Sequence, residues 1–349
     1  MTLEHEFRPG LEFDVAELQR YLTEKIPGFS APLHVRQFPG GQSNPTYRLD
    51  GPGASYVLRR KPPGVLLPSA HAVDREYRVM HALATHTPFP VARPLWLCED
   101  ASVIGTAFYV MEFVDGRIFW DPTLPELSRE ARRPLFIAMV ETLADLHAVD
   151  YRAIGLADFG KPEGYVARQI ARWSKQYAVD AEAAGRVATM ERLIDWLPKH
   201  LPAVEPAPAL VHGDYRLDNM IYDPQALSVR AVLDWELSTL GDPTADFAYH
   251  LMKYRMPSGG VRGLLGADLE ALGLPTEREY VAAYCSRRGI SELLNLEYYL
   301  AYCAFRLAGI CHGIAGRVQR GTAVSPQARK YAAQVEPLAE LAWQIAERA

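Results

Sequence analysis

The chain has 349 residues, 49% of them hydrophobic and 23% charged, and a formal net charge of -5 at pH 7. A chain of this length can form two lobes or domains that each bury a core. The composition is that of a globular protein and excludes an intrinsically disordered one. Without a basic excess, nucleic acid is not expected as the main partner.

Cysteine usage and apolar patterning predict a cytoplasmic protein that does not enter a membrane. No CxxC pair occurs, so the cysteines are expected to be reduced, buried thiols and not zinc ligands or disulfides. The first seven residues carry two acids and lack the apolar segment of a signal peptide. The apolar stretch 298–316 is interrupted by Arg306 and His312, which favours a buried amphipathic helix over a membrane span. The four cysteines are Cys98, Cys285, Cys303 and Cys311.

The first third of the chain predicts a small, β-rich lobe. Asp14 is placed to cap a first helix, and a Gly-rich segment at 39–45 separates two short strands. A longer helix and a buried strand follow, and the lobe is expected to end at residue 114. The predicted helices are 14–25 and 70–86, and the predicted strands are 35–38, 46–49, 56–60 and 107–113.

Helical patterns dominate from residue 127 onward, interrupted by two short strands. The fold class is therefore predicted to be α+β, with a small lobe at 1–114 and a larger, mainly helical lobe at 115–349. No internal repeat or low-complexity tract is present. The predicted helices of the larger lobe are 128–150, 163–184, 186–201, 276–288, 291–320 and 326–348.

One loop and the strand that follows it contain the parts of a phosphoryl-transfer centre. Asp214 and Asn219 lie five residues apart in a loop entered from an apolar run, and Asp234 ends the next apolar strand. Asp214 is the candidate base, or the residue that orients the attacking hydroxyl. Asn219 and Asp234 offer the hard oxygen ligands that Mg²⁺ prefers. An Asp and an Asn could also be ordinary turn residues, but the second Asp at the next strand end favours catalysis.

Further polar residues surround this motif. Arg216 is predicted to neutralise charge on the transferred phosphoryl group, and a solvated position or a substrate contact stay open as alternatives. Glu236 is expected on the same side as Asp234 because strand side chains alternate, so it is a candidate second metal ligand. The residues expected to hold or brace the site are His212, Asp242 and Asp246.

A Gly-rich loop and a cation on the next strand form a candidate phosphate-binding site. Glycine lets a backbone approach phosphates closely, although Pro-Gly-Gly is also an ordinary hairpin turn. Arg59 directly follows an apolar run and is predicted, with Glu76 from the next helix, to hold the α and β phosphates. Strand alternation places Arg59 and Lys61 on one face and Arg60 on the other, and Arg59 is favoured because it follows the apolar run directly. The loop residues predicted to contact the nucleotide are Gly41, Ser43 and Asn44.

In their order, these motifs resemble the aminoglycoside phosphotransferase family, a branch of the protein-kinase-like fold that also includes choline and homoserine kinases. The resemblance covers nearly the whole chain and implies ATP and Mg²⁺ between the lobes. It places the adenine against backbone groups of Glu112 and Val114, with Met111 behind it. Arg59 stands where many kinases have lysine, and because arginine stays protonated, phosphate binding should survive. The segments that carry the resemblance are 40–47, 58–64, 74–77, 111–113, 212–214, 219 and 234–236.

A narrower resemblance concerns the kinase-like domain that is fused to some acyl-CoA dehydrogenases. The sequence Asp-Trp-Glu at 234–236 and the segment 165–170 are similar to that subgroup. No Asp-Phe-Gly or Ala-Pro-Glu signature brackets an activation loop, so a protein substrate is disfavoured. A small-molecule hydroxyl acceptor is the resulting expectation.

Two acid-free helical segments bear on the nature of that acceptor. Residues 165–179 carry three basic side chains and residues 298–335 carry five, with no Asp or Glu in either segment. If these positively charged segments line the acceptor site, they would attract an anionic hydroxy acid or hydroxyacyl thioester and repel a polycationic antibiotic. The alternative is that these are solvated faces or salt bridges. The predicted acceptor-binding residues are Arg168, Arg172, Arg306 and Arg317.

The leading hypothesis is thus an ATP- and Mg²⁺-dependent kinase of a small hydroxyl compound. The alternatives are a nucleotide-binding pseudokinase with a regulatory role and an aminoglycoside-type antibiotic kinase. The retained Asp214, Asn219 and Asp234 argue against the pseudokinase. The acceptor, the choice between ATP and GTP, and the oligomeric state stay open.

Overall fold

A computed structural model describes residues 7–38, 44–64, 71–258, 263–323 and 325–349. The chain divides into two compact units. Unit 1 comprises Met1–Trp120, Tyr151–Leu156 and Arg216–Ser238, and unit 2 comprises Asp121–Asp150, Ala157–Tyr215 and Thr239–Ala349. The boundary therefore falls inside the predicted catalytic motif, between Tyr215 and Arg216. The lobes at 1–114 and 115–349 stay a prediction.

The elements of both units are numbered in chain order. The strands are β1 (His34–Gln37), β2 (Thr46–Asp50), β3 (Ser55–Arg60), β4 (Pro94–Cys98), β5 (Phe108–Glu112), β6 (Ala209–Val211), β7 (Met220–Tyr222), β8 (Val229–Val232) and β9 (Thr239–Gly241). The helices are α1 (Val15–Lys25), α2 (Val73–His86), α3 (Arg129–Ala148), α4 (Tyr165–Ala184), α5 (Ala188–Trp196), α6 (Pro243–Leu251), α7 (Leu269–Leu272), α8 (Glu277–Arg288), α9 (Leu296–Gln319), α10 (Pro326–Ala332) and α11 (Val335–Ala346).

Unit 1 is built on an antiparallel sheet with the strand order β1-β2-β3-β5-β4. Helix α1 begins at the predicted cap, where the Asp14 carboxylate accepts the backbone N–H of Glu17. Leu18 and Leu22 of α1 are fully buried in one core with strand residues such as Leu58. This packing follows from the helical spacing of the apolar residues and fixes the sheet that carries Arg59.

Unit 2 is mainly helical, and α9, with 24 residues, is the longest of its described helices. Helix α9 packs against α4, α6, α10 and α11, and most of its side chains are buried, as predicted for 298–316. All four cysteines are buried and unpaired, which confirms the prediction of free thiols. Within the part of the chain that the structure describes, none of the helices combines the length and apolar character required to cross a bilayer.

Several element predictions were wrong, and the first concerns the strands after residue 127, which are four (β6 to β9) and not two. Strand β4 was not predicted; it begins at Pro94, and proline is tolerated as the first residue of a strand. Helix α6 was also missed, despite Asp242 at its cap and Pro243 at its first position. Helix α9 begins five residues later than predicted, since Asn295 before it is left-handed. The helix predicted at 326–348 is two helices, because the ring of Pro337 clashes with a helical carbonyl four residues earlier.

Candidate functional site

Asn219 and Asp234 lie at the same end of the β7–β8 hairpin in unit 1. Met220 pairs with Val232, and the N–H of Leu233 donates to the carbonyl of Asn219 over 2.8 Å. Asp234 is the next residue and adopts a left-handed conformation with φ 66°. The two predicted metal ligands are therefore adjacent, although fifteen positions apart in the chain.

Arg59, on β3, joins the acidic residues of this site. Its Nε lies 3.0 Å from Oε2 of Glu76 and its Nη2 lies 2.6 Å from Oδ1 of Asp234. Nη2 is also 3.7 Å from Oε2 of Glu236. Arg60 faces the other way and donates from Nε to the hydroxyl of Thr106. Arg59, and not Arg60, is therefore the cation that lies beside Glu76 and Asp234.

Glu76 is held by three neighbours inside unit 1. Besides Arg59, the amide of Asn44 donates to Oε1 over 2.8 Å and the hydroxyl of Tyr109 donates to Oε2 over 3.1 Å. Burial raises the pKa of Glu76 to about 7, although Arg59 opposes the rise. Asn44 is completely buried and also contacts His71, so its side chain orients Glu76. Gly41 and Ser43 lie outside the described residues.

Tyr109 is a site residue that the sequence did not identify. It lies opposite Arg59 in the β3–β5 register and is fully buried beside Glu76. The only available signal was its place in a buried strand, which becomes informative once the pairing of β3 with β5 is known.

The residues beside Arg59 fit a magnesium ion better than a transition metal. Asp234 and Glu236 provide carboxylate oxygens and Asn219 provides an amide oxygen. In the described ranges no group of three or more His, Cys, Asp or Glu residues could hold a metal ion. Mg²⁺ commonly uses one or two carboxylates and keeps several waters. The reason given for Glu236 was wrong, because Trp235–Leu237 is a 3₁₀ turn and not a strand; Glu236 nonetheless lies beside Arg59.

The segment implied in adenine binding lies at the end of β5. The N–H of Glu112 donates to the carbonyl of Arg93, and Oε1 of Glu112 accepts the N–H of Arg93 over 3.1 Å. Val114 follows two residues later. Contacts of Glu112 and Val114 with a nucleotide stay a prediction.

The loop that carries Asp214 follows β6 in unit 2, where Asp246 holds its backbone. The Asp246 carboxylate accepts the N–H of His212 over 2.8 Å and that of Gly213 over 2.9 Å. Nε2 of His147 lies 3.1 Å from the same carboxylate. Although burial acts to raise it, these contacts with His147 and His212 hold the pKa of Asp246 below its usual value. Asp246 therefore braces the loop from inside α6, and Asp242 caps that helix.

Two further residues contact this loop, and neither was predicted to do so. The hydroxyl of Tyr249 donates to Oδ1 of Asp214 over 3.2 Å. His250 Nδ1 lies 3.0 Å from the carbonyl of Tyr215. Both residues follow Asp246 at helical spacing, so a shared face of α6 was the signal available in the sequence.

The predicted basic residues occupy different environments. Arg306 is buried and donates from Nη2 to the carbonyl of Gly213 over 2.8 Å. Arg168, Arg172 and Arg317 are exposed. Arg320, which belongs to the same acid-free segment, pairs with the buried Asp180 at 3.3 Å. Part of the predicted positive charge is thus neutralised within unit 2.

Arg216 begins a short 3₁₀ turn in unit 1. Its carbonyl accepts the N–H of Asn219, and its Nη2 lies 3.7 Å from Oδ2 of Asp218. The side chain is 39% exposed. Its role in charge neutralisation stays a prediction.

Comparison with known proteins gives a family match over most of the chain. Residues 34–284 match the phosphotransferase enzyme family. The mouse protein named acyl-CoA dehydrogenase family member 10 is 46% identical over 332 residues, covering 94% of this chain and 31% of that protein. The human protein named acyl-CoA dehydrogenase family member 11 is 42% identical over 348 residues, covering 98% of this chain and 44% of that protein. The chain therefore spans less than half the length of these curated relatives.

Solved structures agree with this match. A protein from Ralstonia eutropha JMP134, provisionally described as an aminoglycoside phosphotransferase, is 47% identical with a TM-score of 0.89, covering 97% of this chain and 99% of that one. Choline kinase from Cryptosporidium parvum is 11% identical with a TM-score of 0.66, covering 96% of this chain and 97% of that one. The protein-kinase-like α+β fold predicted from the sequence is confirmed.

Proposed function

The chain belongs to the phosphotransferase enzyme family, and we propose that it is an ATP- and Mg²⁺-dependent kinase of a small, anionic hydroxyl compound. The bond between the γ-phosphorus and the β–γ bridging oxygen breaks and releases ADP, while a bond forms between the γ-phosphorus and the acceptor oxygen. Asp214 orients the acceptor hydroxyl and takes its proton. Mg²⁺, when bound, neutralises phosphate charge, and Asn219, Asp234 and Glu236 are the residues that would hold it.

The observation that carries this proposal is the position of Arg59. A single guanidinium contacts Glu76 of α2 and Asp234 beyond β8, and Asp234 is adjacent to Asn219. A cation joined to a helix carboxylate and placed beside two metal-ligand candidates is the arrangement that positions nucleotide phosphates in kinases. A purely structural ion pair would not need an amide and a second carboxylate at the same place.

Two observations favour an anionic acceptor. Arg168, Arg172 and Arg317 are exposed on α4 and α9, where their charges can attract an anion. In addition, the 42–46% identical relatives are named as acyl-CoA dehydrogenase family members, which favours a hydroxyacyl thioester. The buried free thiols fit a cytoplasmic reaction.

The test measures phosphoryl transfer from ATP, in the presence of Mg²⁺, to a panel of hydroxy acids, their coenzyme A thioesters and aminoglycosides. We expect transfer to the anionic compounds and none to the polycations. Asp214→Asn should lower turnover by about a hundredfold or more while leaving nucleotide affinity unchanged. Asp195→Asn, which alters an exposed carboxylate on α5, serves as the matched control.

The outcomes separate the alternatives. ATP binding without transfer to any acceptor or to water would support the pseudokinase and contradict our proposal. Transfer to aminoglycosides alone would support the antibiotic kinase. Equal loss of activity in Asp195→Asn and Asp214→Asn would show that the effect of Asp214→Asn is not specific.

A further inference from the structure

Three residues of helix α6 contact four consecutive residues of the Asp214 loop, 212–215. Asp246 accepts the N–H groups of His212 and Gly213, as described above. Tyr249, three positions later, contacts the side chain of Asp214, and the next residue, His250, contacts the carbonyl of Tyr215. Of these contacts, only the one from Tyr249 reaches the carboxylate itself.

Tyr249 is itself held by Arg306 from α9. The guanidinium carbon of Arg306 lies 4.5 Å from the centre of the Tyr249 ring, within the range of a cation–π contact. The same guanidinium donates from Nη2 to the carbonyl of Gly213 over 2.8 Å. Gly213 has φ 82° and directly precedes Asp214. Arg306 therefore contacts both the backbone before Asp214 and the ring whose hydroxyl binds Asp214.

We infer that Tyr249 is a positioning residue for Asp214 and that Arg306 acts through Tyr249 and Gly213 and not as a ligand of the acceptor. The inference rests on the proposed function, in which Asp214 receives the acceptor proton. It replaces the predicted acceptor-binding role of Arg306 and gives Tyr249 a role that its sequence position did not indicate.

The physical reason lies in the freedom of a carboxylate to rotate. An aspartate whose carboxylate is not fixed samples several rotamers, and only some direct an oxygen towards an acceptor hydroxyl. A phenol hydroxyl bonded to Oδ1 selects one orientation, and a charge-assisted hydrogen bond is stronger than a neutral one. A guanidinium on the ring face keeps the phenol in place. Arg306 is 8% exposed and already bonded to the loop, so its planar fork suits this structural task.

The first test is Tyr249→Phe, which removes one oxygen and keeps the ring. We expect kcat to fall about tenfold, the loss that follows from removing one hydrogen bond to a charged group. The KM values for ATP and for the acceptor should stay within about twofold. Turnover is measured as ADP release with the best acceptor of the panel, or with water as acceptor.

A matched control separates positioning from general destabilisation. Tyr298→Phe, on α9, also removes a buried tyrosine hydroxyl, which donates to the carbonyl of Leu197 over 2.9 Å. We expect this variant to lose some stability and to keep the wild-type kcat. An equal fall of kcat in both variants would overturn the inference.

The second test uses Arg306. Arg306→Met should lower kcat to a similar extent, and the double variant with Tyr249→Phe should be little slower than either single variant, because both residues act through Asp214. Arg192→Met, which removes another arginine stacked on an aromatic ring, that of Trp343 at 3.8 Å, should keep full activity. If Arg306→Met does not fold, Tyr249→Phe alone decides.

Other outcomes contradict the inference in distinguishable ways. A raised acceptor KM with an unchanged kcat in Arg306→Met would make Arg306 an acceptor ligand. Wild-type kcat in Tyr249→Phe, together with an inactive Asp214→Asn, would overturn the inference and leave the proposed function intact. Full activity of Asp214→Asn would overturn both.

Discussion

Nη2 of Arg59 lies 2.6 Å from Oδ1 of Asp234, although the two residues are 175 positions apart in the chain. The same guanidinium contacts Glu76, which is 1% exposed, and lies near Glu236. One cation therefore balances carboxylates from α2 and from the segment after β8. Asp234 is also a proposed metal ligand, so Mg²⁺, when bound, would share with Arg59 the carboxylate that Arg59 contacts.

Removing this shared cation should destabilise unit 1. Arg59→Met leaves the buried Glu76 without its cationic partner, and breaking a buried ion pair from one side costs about 3 kcal/mol. We expect this decrease in the free energy of unfolding, measured by urea denaturation at pH 8. Arg20→Met, which removes an exposed arginine paired with Glu17, should leave stability unchanged within error.

The same variant tests the fit of the site to magnesium. Millimolar Mg²⁺ should raise the Tm of Arg59→Met more than that of the wild type, because the ion replaces the missing positive charge beside Asp234 and Glu236. A Tm of the variant that does not respond to Mg²⁺ would contradict the assignment of these carboxylates as metal ligands.

The protonation of Glu76 should be visible in the pH dependence of stability. Its pKa is raised from 4.5 to about 7, first by burial and then by the nearby Asp234 and Glu236. Between these values the folded state binds more protons than the unfolded state, so this contribution to stability is present below pH 4.5 and is lost as the pH rises through 7. The wild type should therefore lose stability relative to Glu76→Gln between pH 4.5 and 7, measured by chemical denaturation across that range. A constant difference would show that Glu76 is ionised throughout.

Two buried histidines of unit 2 should change the stability with pH in the opposite direction, so that stability falls on acidification. Burial lowers the pKa of His147 and that of His250 below 6.5. Below pH 6.5 the unfolded state binds protons that the folded state does not, so stability falls as the pH decreases, by about 1.4 kcal/mol per pH unit for each group. Because Glu76→Gln removes the opposing contribution, we expect that variant to show the steeper loss of stability on acidification. Replacing His147 by Asn should reduce the slope, measured in the same titration.

The sequence predicted the parts of unit 1 that have a local signal. Arg59 directly follows an apolar run within β3, Asp234 follows the apolar strand β8, and Glu76 lies on a regular amphipathic helix. The contacts of Glu76 with Asn44 and Tyr109 depend on the strand register and on packing over more than 30 positions, so no local pattern reports them. Glu236 lies near Arg59 because residues 235–237 form a 3₁₀ turn, and strand alternation could not predict that turn.

In unit 2 the sequence predicted the Asp214 loop but not most of what holds it. Asp246 was expected to brace the site. The contacts of Tyr249 and His250 with the loop could be predicted only if α6 was already known to lie against it. Arg306 illustrates the limit most clearly. Its position in an acid-free helix suggested an anion-binding surface. In the structure the side chain is buried, and its guanidinium donates a hydrogen bond to the carbonyl of Gly213.

The backbone of Asp234 allows its charge and its conformation to be tested separately. Its φ of 66° lies in the left-handed region, which Asn and Asp adopt more readily than Ala. Asp234→Asn should keep the conformation and lose the charge, whereas Asp234→Ala should lose both. We expect both variants to abolish Mg²⁺-dependent turnover, and the alanine variant to be less stable than the asparagine variant by about 1 kcal/mol.

A second left-handed residue provides the control for strain alone. Asn295 has φ 56° and precedes α9, so Asn295→Ala should lower the free energy of unfolding by about 1 kcal/mol and leave turnover unchanged. The measurements are urea denaturation and ADP release with and without Mg²⁺. If Asp234→Asn retains Mg²⁺-dependent turnover, the carboxylate of Asp234 is not required as a metal ligand. Equal stability of Asp234→Asn and Asp234→Ala would show instead that the left-handed backbone carries no strain there, because an asparagine and an alanine at this position differ chiefly in their tolerance of positive φ.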